Sequence, residues 1–527
     1  MPNKLFQKIK ELPHLRLLII LFTVWQYVSV ACIALLNWPQ SLAWLNLGLL
    51  LAFIFLSPIY ESLLLLILSI PFYIVLPNDR FDSLSMWRIL FLALFLVWFM
   101  RDRKFHFKGI IFLPWDKYLA WFAGVGLLLA FVFGRYHVEA VKQLIFWLNI
   151  YLFYIVLINS LRGKQHIFEM IRYVVWSLAI IITLGFAQLI ATFLVNIDTF
   201  WVFWATNITR LYYGNSFAAI SLFSNSWFAN SGSARELRMF SIMPDSQSFA
   251  YICIFGLCIG TALTKNVFVH IRKWLWSGIR FAGLALILSG TRAVWVGMVT
   301  PFLVVVVGYV YNIQKHLAKR FLLPFAIIFI LFAASPLINK GLALLQVHVF
   351  KEDFLSRAES IYDFNETSNA GRIAMWKNSA GFFLTHPWGV GFGNFIISFN
   401  PNSESQSYSD LAQKINPRYN LPDKYVSAHS LYLQILVETG VVGFTLFAAI
   451  WVNMVHYFWK FIKNYSKKED FLVYFVAQAL LMVLWLLTAA IFDITLFNDK
   501  VLMFFFINIG LAGIIVQRYH EYEETEH

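Results

Sequence analysis

The segment Ala428-His429-Ser430-Leu431-Tyr432-Leu433-Gln434-Ile435-Leu436-Val437-Glu438-Thr439-Gly440-Val441-Val442-Gly443 sets a titratable ring at the head of an apolar run that continues to about residue 457. A helix rises about 1.5 Å per residue, so a run of this length crosses the roughly 30 Å of hydrocarbon in a bilayer. An imidazole at the mouth of such a run points to chemistry at a membrane surface. The same pattern recurs along the chain at roughly 15–36, 41–57, 59–76, 84–100, 116–134, 141–160, 168–195, 242–263, 275–289, 292–311, 321–338, 471–492 and 499–517. With 429–457 these make fourteen expected spans. Only Ser57-Pro58 separates the second from the third, where a Pro marks a tight turn or a kink, so twelve or thirteen also fit. The fold class is therefore an all-α, polytopic transmembrane bundle of about 12–14 helices.

Composition agrees. The 527 residues are 60% hydrophobic and 13% charged, with 54 Phe, which no soluble globular chain of this length requires. The net charge of +13 is what basic cytoplasmic loops contribute and does not point to nucleic acid. Cys32, Cys253 and Cys258 all fall inside apolar runs, which argues against a disulfide framework or a thiolate metal site. The first run is too long for a signal peptide core and reads as a retained span.

Basic residues fall on alternate loops. They are Lys4, Lys8, Lys10 and Arg16; Arg101, Arg103, Lys104 and Lys108; and Arg162, Lys164 and Arg172. The series continues with Lys265, Arg272 and Lys273; Lys315, Lys319 and Arg320; and Lys460, Lys463, Lys467 and Lys468. Short loops rich in Lys and Arg stay cytoplasmic. Both termini are then expected inside, and the long loops at about 196–241 and 339–428 outside. The expected organisation is an N-terminal bundle over 1–240 with its outer loop 196–241, central helices over 241–338, a large extracytoplasmic loop over 339–428, and C-terminal helices with a tail over 429–527.

Ionisable groups near a bilayer cost several kcal/mol and need a reason. Four gather on the expected outer face: Arg238, ahead of Met239-Phe240-Ser241-Ile242; Arg292, in the short turn Ser289-Gly290-Thr291-Arg292; Arg372, in the long loop; and His429, with Ser427 as an expected N-cap. Guanidinium binds phosphate oxygens in pairs and never deprotonates, so three arginines suit a diphosphate leaving group. A near-neutral His kept uncharged by a helix N-terminus suits a base. No metal-binding signature accompanies them, so neither a metal nor another cofactor is called for. Each residue has a plainer role beside this one. Arg238 can snorkel or pair with Asp245, Arg292 can cap carbonyls, Arg372 can pair with Asp363 or Glu366, and His429 can be an ordinary interfacial residue. Glu438 reads first as a packing acid. Gly389, Gly391 and Gly393 read as turn glycines, since no strand precedes them. Glu61, Glu139, Lys142 and Asp493 receive no role. Trp201-Val202-Phe203-Trp204 reads as interfacial belt ahead of a sugar-stacking platform.

Taken together, Thr291-Arg292, Gly371-Arg372-Ile373-Ala374-Met375-Trp376, the run His386-Pro387-Trp388-Gly389-Val390-Gly391-Phe392-Gly393-Asn394-Phe395, and His429 with Glu438-Thr439-Gly440-Val441-Val442-Gly443 resemble the O-antigen ligase and polymerase superfamily of bacterial membrane glycosyltransferases. Arg238 through Ala250 resembles a further, weaker element of it. The resemblance implies a C-type glycosyltransferase architecture in the cytoplasmic membrane, with its site facing outward under a large loop. It implies that a glycan is moved from an undecaprenyl-diphosphate-linked donor to an acceptor hydroxyl on a glycan, lipid or protein, with no nucleotide sugar or required metal, in lipopolysaccharide or other envelope polysaccharide synthesis. His429 would then be the base, and Arg238, Arg292 and Arg372 the diphosphate-binding residues, with Glu438, Trp376 and Gly391 in support. The chain departs from the pattern at Ser430, where the family commonly has Asn, and in its fourteen runs. Ligase is favoured over polymerase. A lipid-linked glycan transporter is the expectation from another class, disfavoured because the polar groups gather at one face rather than at the bilayer midplane.

Overall fold

The computed structural model describes residues 14–78, 84–101, 109–134, 137–223, 227–231, 234–264, 269–310, 315–344, 359–364, 367–395, 427–465, 467–468 and 470–524. Lys4, Lys8, Lys10, Arg103, Lys104, Lys108, Lys265, Glu366 and the outer-loop stretches 345–358 and 396–426 lie outside the described residues.

Every expected run coincides with a helix. In chain order these are α1 (His14–Leu36), α2 (Leu42–Leu56), α3 (Ile59–Leu68), α4 (Met86–Arg101), α5 (Asp116–Val132), α6 (His137–Ser160) and α7 (Lys164–Leu194). The connection that follows holds α8 (Ile197–Phe203), a wide turn over Trp204–Thr209, α9 (Arg210–Tyr213), α10 (Asn215–Phe223), and a hairpin of β1 (Phe228–Ser231) and β2 (Ala234–Leu237). Then come α11 (Ser246–Leu263), α12 (Val269–Leu288), α13 (Arg292–Gly297), α14 (Val299–Val310), α15 (Lys315–Leu344), α16 (Thr367–Thr385), α17 (Leu431–Tyr465), α18 (Phe471–Ala489) and α19 (Asp499–Glu524). Among the described residues nine helices are long and apolar enough to cross a membrane, and α2 and α3 are shorter apolar helices. The protein is a polytopic, helical membrane protein. Its departures from an all-α fold among the described residues are the hairpin, paired Phe228 to Leu237 and Ser231 to Ala234, and a single bridge between Val75 and Ser85.

Proline sets the interruptions. Ser57 is extended, as a residue before proline must be, so Ser57-Pro58 is a break between two helices and not a kink within one. The third run holds only ten α-helical residues before Pro71 enters a tight 3-10 turn. Pro301 has no N–H for the carbonyl of Gly297, and the helix breaks at Met298 between α13 and α14.

The core lies along α11, α18 and α19, with 89%, 83% and 89% of their apolar windows buried. A helix apolar on all sides belongs inside a bundle. The outer helices leave large side chains uncovered, among them Leu17, Ile20, Trp176 and Leu194, as a lipid-facing surface does. One end of the bundle is tied by Arg16 to Glu169 at 2.7 Å and Lys164 to Asp470 at 3.2 Å. The opposite end carries the hairpin, α16 and the start of α17. Trp201, placed by sequence in an interfacial belt, is buried instead, its ring 5.6 Å from Trp227 and 5.1 Å from Phe228. It anchors the 197–240 connection from within.

Candidate active site

The two glycine motifs are halves of one contact. Gly389, Gly391 and Gly393 all have positive φ, and Gly440 breaks α17 with φ 62° and ψ −168°, a conformation that is essentially restricted to glycine. The loop is pressed onto that break. Gly391 N donates to Glu438 O at 2.6 Å, and Val441 N to Pro387 O at 3.2 Å. A Cβ on Gly389 would stand 2.5 Å from Gly440 N, and one on Gly440 would collide with the Trp388 carbonyl. Phe392 plugs the loop into the bundle, fully buried beside Phe122 and Trp147, where Gly126 leaves room for its ring.

This platform supports the turn carrying His429. Leu431 N, at the helix start, donates to the carbonyls of Ala490 at 2.9 Å and Asp493 at 3.0 Å. Ala428 N donates to Gln434 Oε1 at 3.0 Å, and Trp376 Nε1 reaches the His429 carbonyl at 3.5 Å. Between these anchors His429 is held at φ 47°, a left-handed conformation costing on the order of 1–3 kcal/mol for a residue other than glycine. The expected helix cap is corrected here. The helix begins at Leu431, and Ser427 Oγ accepts from His429 N at 3.4 Å without capping it. The imidazole stays solvent-accessible while sitting among enough protein to lose hydration. That desolvation lowers its pKa from the ordinary 6.5, and the charge of Arg372 lowers it further. The ring is therefore neutral at physiological pH, the form a base requires. Desolvation and Arg372 both favour the uncharged ring.

Arg372 lies on α16, so this part of the outer loop is helical. The spacing of Arg372 and Trp376 puts both on one helix face, the one turned to His429, with the Trp376 ring 6.0 Å from Phe492. Asp493 completes this cluster, and sequence had assigned it no role. It is 2% exposed, and its Oδ1 accepts from Tyr251 Oη at 2.9 Å and Thr495 N at 3.0 Å. Burial pushes its carboxyl up to about 6; those hydrogen bonds and Arg372 oppose the rise, and Asp245 adds to it. An acid just beyond an apolar run, at the same end as His429, was the available signal.

Arg292 opens α13. Its Nη1 donates to Ser360 Oγ at 2.9 Å and Ser360 O at 3.4 Å. Asn369 Nδ2 donates to the same Ser360 carbonyl at 2.9 Å, which links Arg292 to the first turn of α16. Arg238 follows the hairpin, and its neighbour Met239 N donates to Leu288 O at 3.2 Å. Thr291 Oγ1 donates to Ser246 O at 3.2 Å, joining the 238–246 segment to the turn before Arg292. The structure thus brings Arg372 into the electrostatic reach of His429. It sets Arg292 and Arg238 on adjoining segments at the same end, joined to the cluster through Ser360 and the 289–291 turn.

Residues 278–448 match the family model described as O-antigen ligase. The matched stretch covers about a third of the chain, which is similar to that family there. It contains Arg292, Arg372, the glycine loop, His429 and Glu438, while Arg238 and Asp493 lie outside it. A search of curated proteins returned no match. The match supports a glycosyl-transferring function of the ligase or polymerase type for this multi-pass membrane protein.

Proposed function

We propose that the protein moves a glycan from an undecaprenyl-diphosphate-linked donor to an acceptor hydroxyl at the outer face of the bacterial cytoplasmic membrane, without a metal and with inversion. The observation that carries this is His429, strained in a left-handed turn within the electrostatic reach of Arg372, which favours its uncharged form. In the transfer His429 takes the proton of the acceptor hydroxyl. The oxygen bonds to the anomeric carbon, and the carbon–oxygen bond to diphosphate breaks, its electron pair leaving with the phosphate. Arg372, Arg292 and Arg238 neutralise that leaving group, electrostatic stabilisation of the kind that contributes most to such steps. Trp376 and the Gly389–Gly393 loop, Gly391 included, hold the turn in place.

Purified protein in lipid nanodiscs, supplied with lipid-linked donor and acceptor, is expected to release undecaprenyl diphosphate and form product. Full transfer by His429→Ala would end the mechanism. Gene deletion in the host separates the subclasses. Full-length chains accumulating on the lipid carrier indicate a ligase; acceptors bearing a single repeat indicate a polymerase.

A further inference from the structure

A cavity of about 500 Å³ opens against the turn that carries His429. Ser427 and Ile494 line it, each one or two residues from the His429 and Asp493 positions that face Arg372. None of the three arginines assigned to the diphosphate lines it. Its polar wall comes from three helix starts: Arg88 on α4, Glu139, Lys142 and Gln143 on α6, and Gln434 and Glu438 on α17. Phe146, Trp147 and Phe497 supply aromatic wall between them.

The charge balance separates this cavity from an anion site. Each of its two cations lies beside an acid, Lys142 with Glu139 and Arg88 with Asp499. Lys142 Nζ lies 2.7 Å from Glu139 Oε1, and Glu438 is 3% exposed. There is no surplus positive charge for a phosphate. What remains is a set of amides, carboxylates and cations that both donate and accept, interleaved with ring faces. Such a wall suits a polyhydroxylated ring, whose hydroxyls need both roles and whose C–H faces pack on aromatic rings.

We propose that this cavity binds the acceptor, holding a sugar residue whose hydroxyl attacks the donor; this rests on the function proposed above. Displacement with inversion brings the nucleophile in from the side opposite the leaving group. A sugar pocket beside the turn of the base, which none of the three arginines lines, is where such a hydroxyl would arrive. The pocket is also wired to the base. Gln434 Nε2 donates to Glu438 Oε1 at 2.7 Å, and Gln434 Oε1 accepts from Ala428 N, beside His429. A hydroxyl that engages Gln434 or Glu438 therefore bears on the turn that sets the imidazole.

The test uses the full chain in nanodiscs and two probes: methyl glycosides of glucose, galactose and mannose, followed by saturation-transfer NMR, and inorganic pyrophosphate. At least one glycoside is expected to bind the wild type, with affinity reduced about tenfold in Gln143→Ala and in Glu438→Gln and unchanged in Arg372→Ala. Pyrophosphate is expected to show the reverse dependence. No glycoside binding, or binding insensitive to both cavity variants, overturns the proposal. So does pyrophosphate binding that Arg88→Ala abolishes, which would make the cavity an anion site. If glycoside binding follows the cavity variants while pyrophosphate ignores Arg372, the sugar site stands and the diphosphate assignment fails. In the transfer assay Gln143→Ala is expected to raise the KM for acceptor about tenfold with the donor KM unmoved; a rise in donor KM instead would assign the pocket to the donor and overturn the acceptor assignment.

Discussion

The two flanks of the Ser427–Leu431 turn differ in what they do with charge. On one, Arg372 acts on His429 and Asp493 from a helix face, and Arg292 is tied to the same helix through Ser360. On the other, Lys142 is paired with Glu139 and Arg88 feels Asp499, so each cation has an acid of its own. A fixed cation lowers the pKa of the base and can neutralise a leaving anion, whereas a balanced polar wall can hold a neutral sugar without trapping it. The base sits where the two environments meet. The difference teaches that position relative to this turn, more than residue type, decides what each polar group can do.

The harshest way to break the comparison is to remove the group both flanks serve. His429→Ala is expected to reduce transfer about 10²–10⁴-fold, the usual contribution of a positioned proton acceptor. Product formation in nanodiscs with saturating donor and acceptor measures it, and a loss below tenfold would mean that another group takes the proton.

Arg372→Ala removes the charged flank alone. A loss of about 10²–10³-fold is expected, similar to deleting one stabilising donor at a developing oxyanion, with Arg372→Lys recovering part of it. This variant also has a signature in pH. Arg372 lowers the pKa of His429, so its removal lets that pKa rise. Activity requires the neutral ring and falls as pH drops through that pKa. The acid limb of kcat/KM should then lie below pH 6.5 in the wild type and move to higher pH in the variant. An unmoved limb would show that the guanidinium does not act on the ring.

Gly440→Ala strikes the platform under both flanks. The backbone there suits only glycine, and the new methyl would collide with the Trp388 carbonyl, so destabilisation of about 3 kcal/mol or more is expected. A lower thermal transition of the purified protein, together with a fall in transfer, checks it.

Much of this was legible in sequence, and the rest was hidden for identifiable reasons. Hydropathy marked fourteen apolar runs, and among the described residues nine of the helices are long and apolar enough to cross a membrane. It could not show that the third is cut short by Pro71, or that Trp201 is packed inward, because apolar runs look the same whether lipid or protein surrounds them. His429 was visible from its place before an apolar run. Its left-handed turn was not, since that depends on Ala490 and Asp493, some sixty residues away. The glycines were legible as turn formers, but their purpose, one backbone pressed on another, needed Gly389 and Gly440 side by side. Asp493 went unassigned because its partners Tyr251 and Arg372 come from distant parts of the chain.

Asp493→Asn tests a subtler side of the charged flank. The amide keeps an oxygen for Tyr251 and Thr495 but removes the negative charge that interacts with Arg372. A three- to tenfold loss of transfer is expected, of the order of one charge-assisted interaction. The loss should shrink as pH falls below about 6, where the wild-type carboxyl takes up a proton of its own. A loss that does not vary with pH would assign Asp493 to the fold alone.

The smallest expected effect belongs to Trp376. Its Nε1 reaches the His429 carbonyl at 3.5 Å, near the limit of a useful hydrogen bond, while its ring packs 6.0 Å from Phe492. Trp376→Phe removes the first and keeps most of the second, so a loss of only about twofold is expected, matching roughly 0.5 kcal/mol. Trp376→Ala removes both and frees the turn from α16, so the cost should reach about tenfold and fall on kcat with little change in acceptor KM. That split matters for the two flanks. If acceptor KM rose instead, α16 would be shaping the sugar cavity as well as the arginine side, and the division of labour across the His429 turn would have to be redrawn.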